Sequence, residues 1–356
     1  MPLPRTHDGH PCRYQYEVGC FDMDHDGVCN VYGRRADCTW IKRGECRCPP
    51  PNRCPTIAHA LHHGYEDLPA SGTLPTNVRV FYPTTSREPL NATATGSCAD
   101  YALILFVHGS CGVPDANHYR RWSALPAHLA QHGFVVAVPS FGSGPDPFSD
   151  SDVNKASEVL AWMKSSWSKR AILSDKIGII GHSYGAIVGG RLNASGFGQA
   201  YVSLSGGWIG YVGTEPSPLG SLSGASLFAW GGSPWESSFA ALTGGAALLW
   251  DSVPEPKHRL IFNEGEHWDY LAPDEGRCSG GDRGPCYSTV GALTREFVTA
   301  FLSRYVPPVR HDGTAPITVA PSLLYPDAHD HAPLPSGCKA QIAWDVGIPN
   351  GSIVLD

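Results

Sequence analysis

A short segment in the middle of the chain has the residue types and the spacing of a serine nucleophile. Gly181-His182-Ser183-Tyr184-Gly185 has the pattern G-x-S-x-G and directly follows the apolar run Ile177–Ile180. A tight turn from a strand into a helix requires glycines at its flanks, because side chains there would clash, and it holds the serine hydroxyl in the open. The helix that begins at the serine adds backbone donors and a favourable dipole for developing negative charge. The pattern predicts that Ser183 is a nucleophile.

A histidine further along the chain is placed to activate this serine. His267 follows the apolar run Arg259–Phe262 within a polar segment, and an amphipathic stretch comes after it. The chain has 16 histidines, so the position of His267 is what selects it. A histidine after a late strand can reach across the sheet edge and act as general base, then as general acid. We expect His267 to take this role, and His182 to pack or hydrogen-bond below the turn.

Apolar runs and amphipathic stretches alternate on both sides of these residues. Strands of near-continuous apolar character that are separated by helices are typical of a parallel sheet covered on both faces. Ligands bind to such sheets at the carboxyl ends of the strands. The sequence therefore predicts an α/β fold with its functional residues just after the apolar runs. The predicted strands are Val78–Tyr82, Tyr101–Val107, Phe134–Val138, Ile177–Ile180, Ala200–Leu204, Ser226–Trp230 and Arg259–Phe262, and the predicted helices are Asn117–His132, Val153–Ser168 and Ser288–Tyr305.

The order of these motifs resembles the α/β-hydrolase superfamily over residues from about 75 to 306. The third motif, His108-Gly109-Ser110-Cys111-Gly112, follows the run Tyr101–Val107. The resemblance implies an α/β-hydrolase fold, with a mostly parallel central sheet and helices on both faces. It also implies an oxyanion hole formed by the backbone N–H groups of Ser110 and Tyr184. Catalysis by such a site needs no cofactor.

The same resemblance implies an acidic residue that holds the histidine. The family usually carries this residue after the next-to-last strand, where Glu236 is the acid that this sequence offers. Glu215, in the loop after Ala200–Leu204, is the alternative because some members place the acid there. Asp251 is a poorer candidate, because it precedes the run Arg259–Phe262 and should lie at the opposite edge of the sheet.

Several aromatic residues fall in loops at the same predicted edge of the sheet. Rigid aromatic side chains form a flat apolar cleft that suits a bulky acyl or aryl group, although aromatic residues near a site are also often plain core. They are Phe141, Tyr184, Trp208, Trp235 and Trp268. The position of Trp208 is similar to a subsite tryptophan of cutinases, poly(ethylene terephthalate) hydrolases and platelet-activating-factor acetylhydrolases, and Leu249–Tyr270 is also similar to the dienelactone hydrolase and chlorophyllase branch. The resemblance implies a cutinase-like or polyester-hydrolase-like esterase.

Composition divides the chain into three segments. Residues 1–68 contain seven of the twelve cysteines, residues 69–306 carry the apolar runs, and residues 307–356 form a proline-rich tail. Clustered cysteines in a segment with few aliphatic residues are typical of a small disulfide-stabilised module, and hence of an oxidising compartment. We expect a secreted protein, although Met1–His10 contain no apolar stretch of a signal peptide. Cys278 and Cys286, close neighbours in a glycine-rich loop, are expected to pair with each other.

The amino-terminal module contains part of a calcium-loop pattern. Asp22, Asp24 and Asp26 alternate before a glycine at the sixth position, and Asn30 follows. Alternation brings carboxylates around one ion, and the glycine permits the sharp turn. The twelfth position is Gly33 instead of a glutamate, so the segment is more similar to the shorter loops of dockerin-like and thrombospondin-type repeats. These residues predict a structural calcium site, with an acidic disulfide-bounded turn as the alternative.

Charge and hydropathy exclude other classes of protein. The balance of 26 basic and 33 acidic residues gives a net charge of −7, which excludes a broadly basic nucleic-acid binder. The longest uninterrupted apolar run, Tyr101–Val107, is too short to cross a bilayer. We expect a monomeric enzyme that acts on a small or polymeric ester. The alternatives are a catalytically silent binding or adhesion protein on the same fold, and a peptidase or acyltransferase that uses the same residues.

Overall fold

The structure is a computed structural model, and contacts divide the chain into two compact units, Met1–Pro55 and Thr56–Asp356. In the first unit β1 (Val18–Phe21), β2 (Asn30–Arg34) and β3 (Trp40–Glu45) form an antiparallel sheet in that order. The structure describes residues 18–21, 30–34, 40–45, 62–84, 90, 99–110, 117–142, 144–146, 149–206, 218–232, 252–270, 286–310, 338, 340–345 and 351–355.

A mixed β-sheet with helices around it forms the second unit. Its elements are β4 (His62–Leu68), β5 (Val78–Thr84), β6 (Ala99–Val107), α1 (Ala124–Gln131), β7 (Phe134–Pro139), α2 (Asp150–Ser165), β8 (Leu173–His182), α3 (Tyr184–Ala194), β9 (Ala200–Leu204), β10 (Ala225–Gly231), β11 (Lys257–Phe262), α4 (Tyr287–Tyr305), β12 (Val309–Arg310), β13 (Ala340–Asp345) and β14 (Gly351–Leu355). The strand order is β14-β13-β11-β10-β9-β8-β6-β7-β5-β4, and β12 pairs with β6. Six neighbouring strands run parallel to one another, and in spatial order they are β7, β6, β8, β9, β10 and β11.

β6 is buried on both faces from Tyr101 to Val107, which explains the unbroken apolar run in its sequence. Along β6 the side chains of Ala102, Ile104 and Phe106 belong to one core cluster, which also includes residues of α1 and α4. The alternate side chains Leu103 and Leu105 belong to a second cluster, which includes residues of α2 and α3. Because successive residues of a strand point to opposite faces, one apolar run fills both cores. The sheet therefore holds the carboxyl ends of its parallel strands in fixed positions.

The predicted elements of the second unit are confirmed, with one difference. Each predicted strand overlaps a strand of the sheet, and α2 and α4 lie where helices were predicted. The predicted helix Asn117–His132 is divided into a 3-10 helix, His118–Arg121, and α1, with Trp122 and Ser123 between them. The sheet also includes β4, which lies before residue 69, and β13 and β14, which lie after residue 306. No helix among the described residues is long and apolar enough to cross a membrane.

The disulfide bond of the described region differs from the pairing that the sequence indicated. Cys286, at the start of α4, is bonded to Cys338, and their Cα atoms are 5.6 Å apart. The expected pair Cys278–Cys286 is therefore wrong, because Cys286 is already bonded. Both paired cysteines are buried in the core cluster that contains α4. The bond joins the long helix to the chain just before β13.

Candidate active site

Ser183 lies at a sharp turn between β8 and α3. Its backbone has φ 53° and ψ −125°, a conformation that residues with a side chain rarely adopt. Holding such a conformation costs about 1–3 kcal/mol and persists only where the surroundings impose it. The N–H of Ser183 donates a hydrogen bond to the carbonyl of Leu204 at 3.0 Å, which ties the turn to the end of β9. The turn therefore has the strained geometry that the G-x-S-x-G pattern predicts.

The two outer glycines of the pattern are required by space. A Cβ atom on Gly181 would lie 2.3 Å from the carbonyl oxygen of Gly185 and 2.4 Å from the Cα of Ala186. A Cβ atom on Gly185 would lie 2.2 Å from the carbonyl oxygen of Val107. These contacts are with backbone atoms, so no side-chain movement can relieve them. The start of α3 consequently lies directly against the end of β6.

The loop after β6 lies against the same turn. A Cβ atom on Gly109 would lie 3.1 Å from the Cβ of Ser183 and 2.6 Å from Nδ1 of His182. The next residue, Ser110, is approached from its other side by Gly144, where a Cβ atom would lie 2.3 Å from the Cα of Ser110. Residues 109 and 110 thus fit between the nucleophile turn and the loop after β7. The two predicted oxyanion donors, the N–H groups of Ser110 and Tyr184, belong to these adjoining segments.

The buried ring of His108 holds the peptide group between Gly109 and Ser110. The N–H of Phe141 donates to Nε2 of His108 at 3.2 Å, so His108 carries its proton on Nδ1 and donates to the carbonyl of Gly109 at 2.8 Å. Nε2 of His118 also lies near this carbonyl oxygen, at 3.2 Å, but it accepts from the indole N–H of Trp122 at 3.3 Å, so His118 packs beside the carbonyl without donating to it. In a trans peptide the C=O and the N–H point in opposite directions. Fixing the Gly109 carbonyl on the His108 ring therefore directs the Ser110 N–H the other way.

His267 lies in the turn that follows β11, beside the nucleophile segment. The rings of His267 and His182 are 4.8 Å apart between centroids. Nε2 of His182 donates to the backbone carbonyl of His267 at 2.8 Å. Burial, with the neighbouring His267 as a second cause, holds the pKa of His182 well below 6.5, so this ring is a neutral support. His182 hydrogen-bonds below the turn, as the sequence indicated.

The turn that carries His267 is closed by a buried aspartate. The N–H of Glu266 donates to Oδ2 of Asp269 at 2.9 Å, and the N–H of Asp269 donates to the carbonyl of Glu266 at 3.0 Å. The Asp269 side chain is completely buried. These two reciprocal hydrogen bonds fix the backbone on both sides of His267. Asp269 is thus a structural part of the site that the motifs did not reveal.

Ser205 contacts the candidate base from the end of β9. Its Oγ lies 3.1 Å from Nδ1 of His267, and its N–H donates to the carbonyl of Ala229 at 2.8 Å. Because Leu204 accepts from Ser183 while Ser205 contacts His267, two consecutive residues join the candidate nucleophile and the candidate base. The sequence analysis did not select Ser205. Its one signal was its position directly after an apolar run, which many other residues share.

The predicted aromatic contacts have different environments. Tyr184 is 41% exposed beside the nucleophile, and Trp268 is partly buried with its ring 5.0 Å from that of His267. Phe141 is only 6% exposed and packs on the ring of His108, so little of its surface is open to a substrate. The remaining predicted site residues lie outside the described region, except that the backbone of Asn30 lies in β2. Those outside are Glu236, Glu215, Asp251, Trp208, Trp235, Asp22, Asp24 and Asp26.

The sheet topology and the turn at Ser183 are those of the α/β-hydrolase fold. Comparison with known sequences agrees, because the model of the chlorophyllase family matches residues 73–204. This match includes the nucleophile turn and the loop after β6, but it ends before His267. Chlorophyllase-1, chloroplastic, from Citrus unshiu and from Citrus sinensis are each 28% identical to this chain over 137 residues. The similarity covers 33% of this chain and about 40% of the length of each relative.

These likenesses support a hydrolase superfamily and, in general terms, a serine ester hydrolase. They do not support the finer resemblance to cutinases and poly(ethylene terephthalate) hydrolases, since the family that matches is the chlorophyllase family. The matched part contains Ser183 and the loop with Ser110, and these are the residues that the two kinds of observation share.

Proposed function

We propose that this protein is a serine hydrolase that cleaves carboxylic esters through an acyl-enzyme intermediate. The observation that carries the proposal is the strained turn at Ser183, φ 53°, with the loop of Gly109 and the turn of His267 packed against it. Backbone strain of this kind collects at functional sites, where the surroundings impose it. The likeness to chlorophyllases supports the same class of reaction.

In this mechanism each side chain performs one step. His267 removes the proton from Ser183 Oγ as the oxygen attacks the ester carbonyl, and the Ser110 and Tyr184 N–H groups donate to the resulting oxyanion. His267 then gives the proton to the leaving alcohol, and the acyl group stays on Ser183. Water then gives a proton to His267 and attacks the acyl-enzyme, and the carboxylic acid product leaves as His267 returns the proton to Ser183 Oγ. We assign the acid that supports His267 to Glu236, with Glu215 as the alternative.

The exposed surface beside Ser183 favours esters with a bulky apolar group. Tyr184 presents its ring at 41% exposure next to the nucleophile, and Trp268 packs against His267 on the other side. Aromatic rings provide apolar contact at a low cost in conformational entropy. We propose bulky or aromatic esters as substrates. Chlorophyll-type esters and polymeric esters are the two substrate classes whose rates of hydrolysis should be compared.

Replacing the nucleophile tests the proposal. Ser183→Ala should lower kcat/KM for a short p-nitrophenyl ester by about 10⁴-fold or more and abolish labelling by a fluorophosphonate probe. Ser195→Ala is the matched control, because this serine lies exposed just after α3 and bonds only its own helix in the region described. Hydrolysis that survives Ser183→Ala would exclude the mechanism. If the fluorophosphonate probe does not label the natural chain, the result would instead favour a catalytically silent binding protein.

A further inference from the structure

Ser205 combines three features of a residue that acts in a reaction. It is completely buried, it has φ 47°, and its hydroxyl faces a ring nitrogen of the candidate base. Among the described residues, Ser183 and Ser205 are the two non-glycine residues with positive φ. They lie at the carboxyl ends of the adjacent parallel strands β8 and β9. The unusual backbone of this part of the fold is therefore confined to the two serines around His267.

The contact with Ser205 lies on the Nδ1 side of the His267 ring. The hydroxyl of Ser205 lies 3.1 Å from Nδ1, so it can accept a hydrogen bond from an Nδ1–H group. A neutral imidazole carries one proton, and holding it on Nδ1 leaves the lone pair on Nε2. This is the tautomer that a general base for a serine hydroxyl requires.

The backbone fixes the hydroxyl in place. The N–H of Ser205 bonds to Ala229 on β10, and its neighbour Leu204 accepts from Ser183. Strands on both sides therefore anchor the residue that carries the hydroxyl. The positive φ of 47° belongs to this same anchored residue, and such a conformation persists only where the surroundings impose it.

We propose that Ser205 is the residue that positions His267, by accepting the Nδ1–H hydrogen bond that leaves Nε2 free to act on Ser183. This inference rests on the proposed esterase function and deepens it. The hydroxyl is uncharged, so it selects the tautomer without supplying the negative charge of a carboxylate. Glu236 or Glu215 would contribute that charge in addition to this contact.

Substitutions at Ser205 separate the tautomer role from packing. Ser205→Gly removes the hydroxyl while tolerating φ 47°, and it should lower kcat by about 10- to 100-fold with KM changed less than about threefold. Ser205→Asn, which tolerates the same backbone and keeps an acceptor oxygen, should recover part of the loss. Ser205→Asp places a carboxylate beside the ring and should move the acidic limb of the pH profile upward by about one unit.

The matched control is another buried serine of the same sheet. Ser226 lies on β10, is 1% exposed, and has no hydrogen-bond partner for its hydroxyl among the described residues. Ser226→Ala should leave kcat and the pH profile unchanged. Thermal unfolding of each variant verifies that it folds. If Ser205→Gly does not fold, the comparison of Ser205→Asn with Ser205→Asp supplies the same answer through the pH profile.

Labelling by a fluorophosphonate distinguishes a failure of this inference from a failure of the esterase proposal. A natural chain that labels at Ser183, together with slower labelling in Ser205→Gly and the shifted profile in Ser205→Asp, supports the inference. Equal labelling and kcat in Ser205→Gly overturn it, and so does an unmoved profile in Ser205→Asp, while the esterase proposal stands. A natural chain that neither labels nor hydrolyses esters overturns both.

Discussion

Gly109 lies at the point where the nucleophile and the predicted oxyanion donor meet. Its Cα faces the Cβ of Ser183 on one side, and its carbonyl accepts from Nδ1 of His108 on the other. A hydrogen atom is all that fits at this Cα, because a methyl group would contact both the serine and the ring of His182. The position of the Ser110 N–H relative to Ser183 Oγ therefore depends on the absence of a side chain.

Gly109→Ala should inactivate the protein without unfolding it. The added Cβ would lie 2.6 Å from Nδ1 of His182 and 3.1 Å from Cβ of Ser183, so the loop must move away from the nucleophile. A displacement of about 1 Å is enough for an approximately 100-fold loss of kcat/KM. Ester hydrolysis measured beside circular dichroism tests this.

The control for this substitution is Gly220→Ala. Gly220 is exposed in a 3-10 helix, and the nearest atom to its added Cβ, the carbonyl oxygen of Ser252, would be 3.9 Å away. This variant should retain full activity. Unchanged hydrolysis in Gly109→Ala would mean that the loop after β6 supplies no oxyanion donor.

At the scale of the elements, three loops at the carboxyl ends of parallel strands have to meet for the site to exist. The loop after β6 is held by the imidazole of His108, the turn after β8 by glycine contacts, and the turn after β11 by Asp269. The third turn is also tied to its neighbours, because Nε2 of His182 donates to the backbone carbonyl of His267 at 2.8 Å. It also carries His267, whose ring lies 4.8 Å from that of His182 between centroids.

Asp269→Ala should loosen the turn that carries His267. The substitution removes the acceptor of the Glu266 N–H, and losing such a partner costs about 1–3 kcal/mol. We expect a lower unfolding free energy in urea and a fall in kcat larger than the change in KM. Asp269→Asn keeps an acceptor oxygen and should behave closer to the natural chain. Glu264→Ala, at an exposed position of the same turn, should change neither quantity.

The sequence predicted these strands well but predicted the contacts between residues distant in sequence poorly, for one physical reason. A strand segment buried on both faces must be apolar at nearly every position, as β6 is from Tyr101 to Val107, so it is visible in the sequence itself. The contact of Ser205 with His267 joins residues 62 positions apart and uses a common residue type, so no local pattern marks it. The pairing of Cys286 with Cys338 was missed likewise, because nearness in sequence favoured Cys278.

At the scale of the whole molecule, several histidines are buried in their neutral form. Burial lowers the pKa of His108 to about 3 and that of His182 well below 6.5. On the opposite side of the sheet from α2, burial lowers the pKa of His258 to about 4, with Arg304 as a second cause. Neutral rings suit His108 and His182, because in each ring one nitrogen keeps its proton to donate to a backbone carbonyl. In His108 the other nitrogen accepts from the N–H of Phe141.

The buried histidines make the stability of the fold depend on pH between about 6.5 and 5. Above 6.5 the rings are neutral in both states, so they contribute no pH dependence. As the pH falls below 6.5, the unfolded chain binds protons that the folded chain does not, and the free energy of unfolding therefore decreases. Each fully buried histidine should contribute on the order of 1 kcal/mol per pH unit in this range. Carboxyl groups add their own dependence only at lower pH.

Urea unfolding at pH 7.5, 6.5 and 5.5 measures this dependence, and one substitution apportions it. The free energy of unfolding should be nearly level from pH 7.5 to 6.5 and should then fall. His258→Phe replaces one neutral ring by another beside Phe301, whose ring centroid is 5.5 Å from that of His258. The free energy of unfolding of this variant should fall less steeply as the pH decreases, and the difference in slope should correspond to about one bound proton. A free energy that stays level down to pH 5.5 would mean that the buried imidazoles accept protons in the folded state, and that the hydrogen bonds of His108 and His182 are not those of neutral rings.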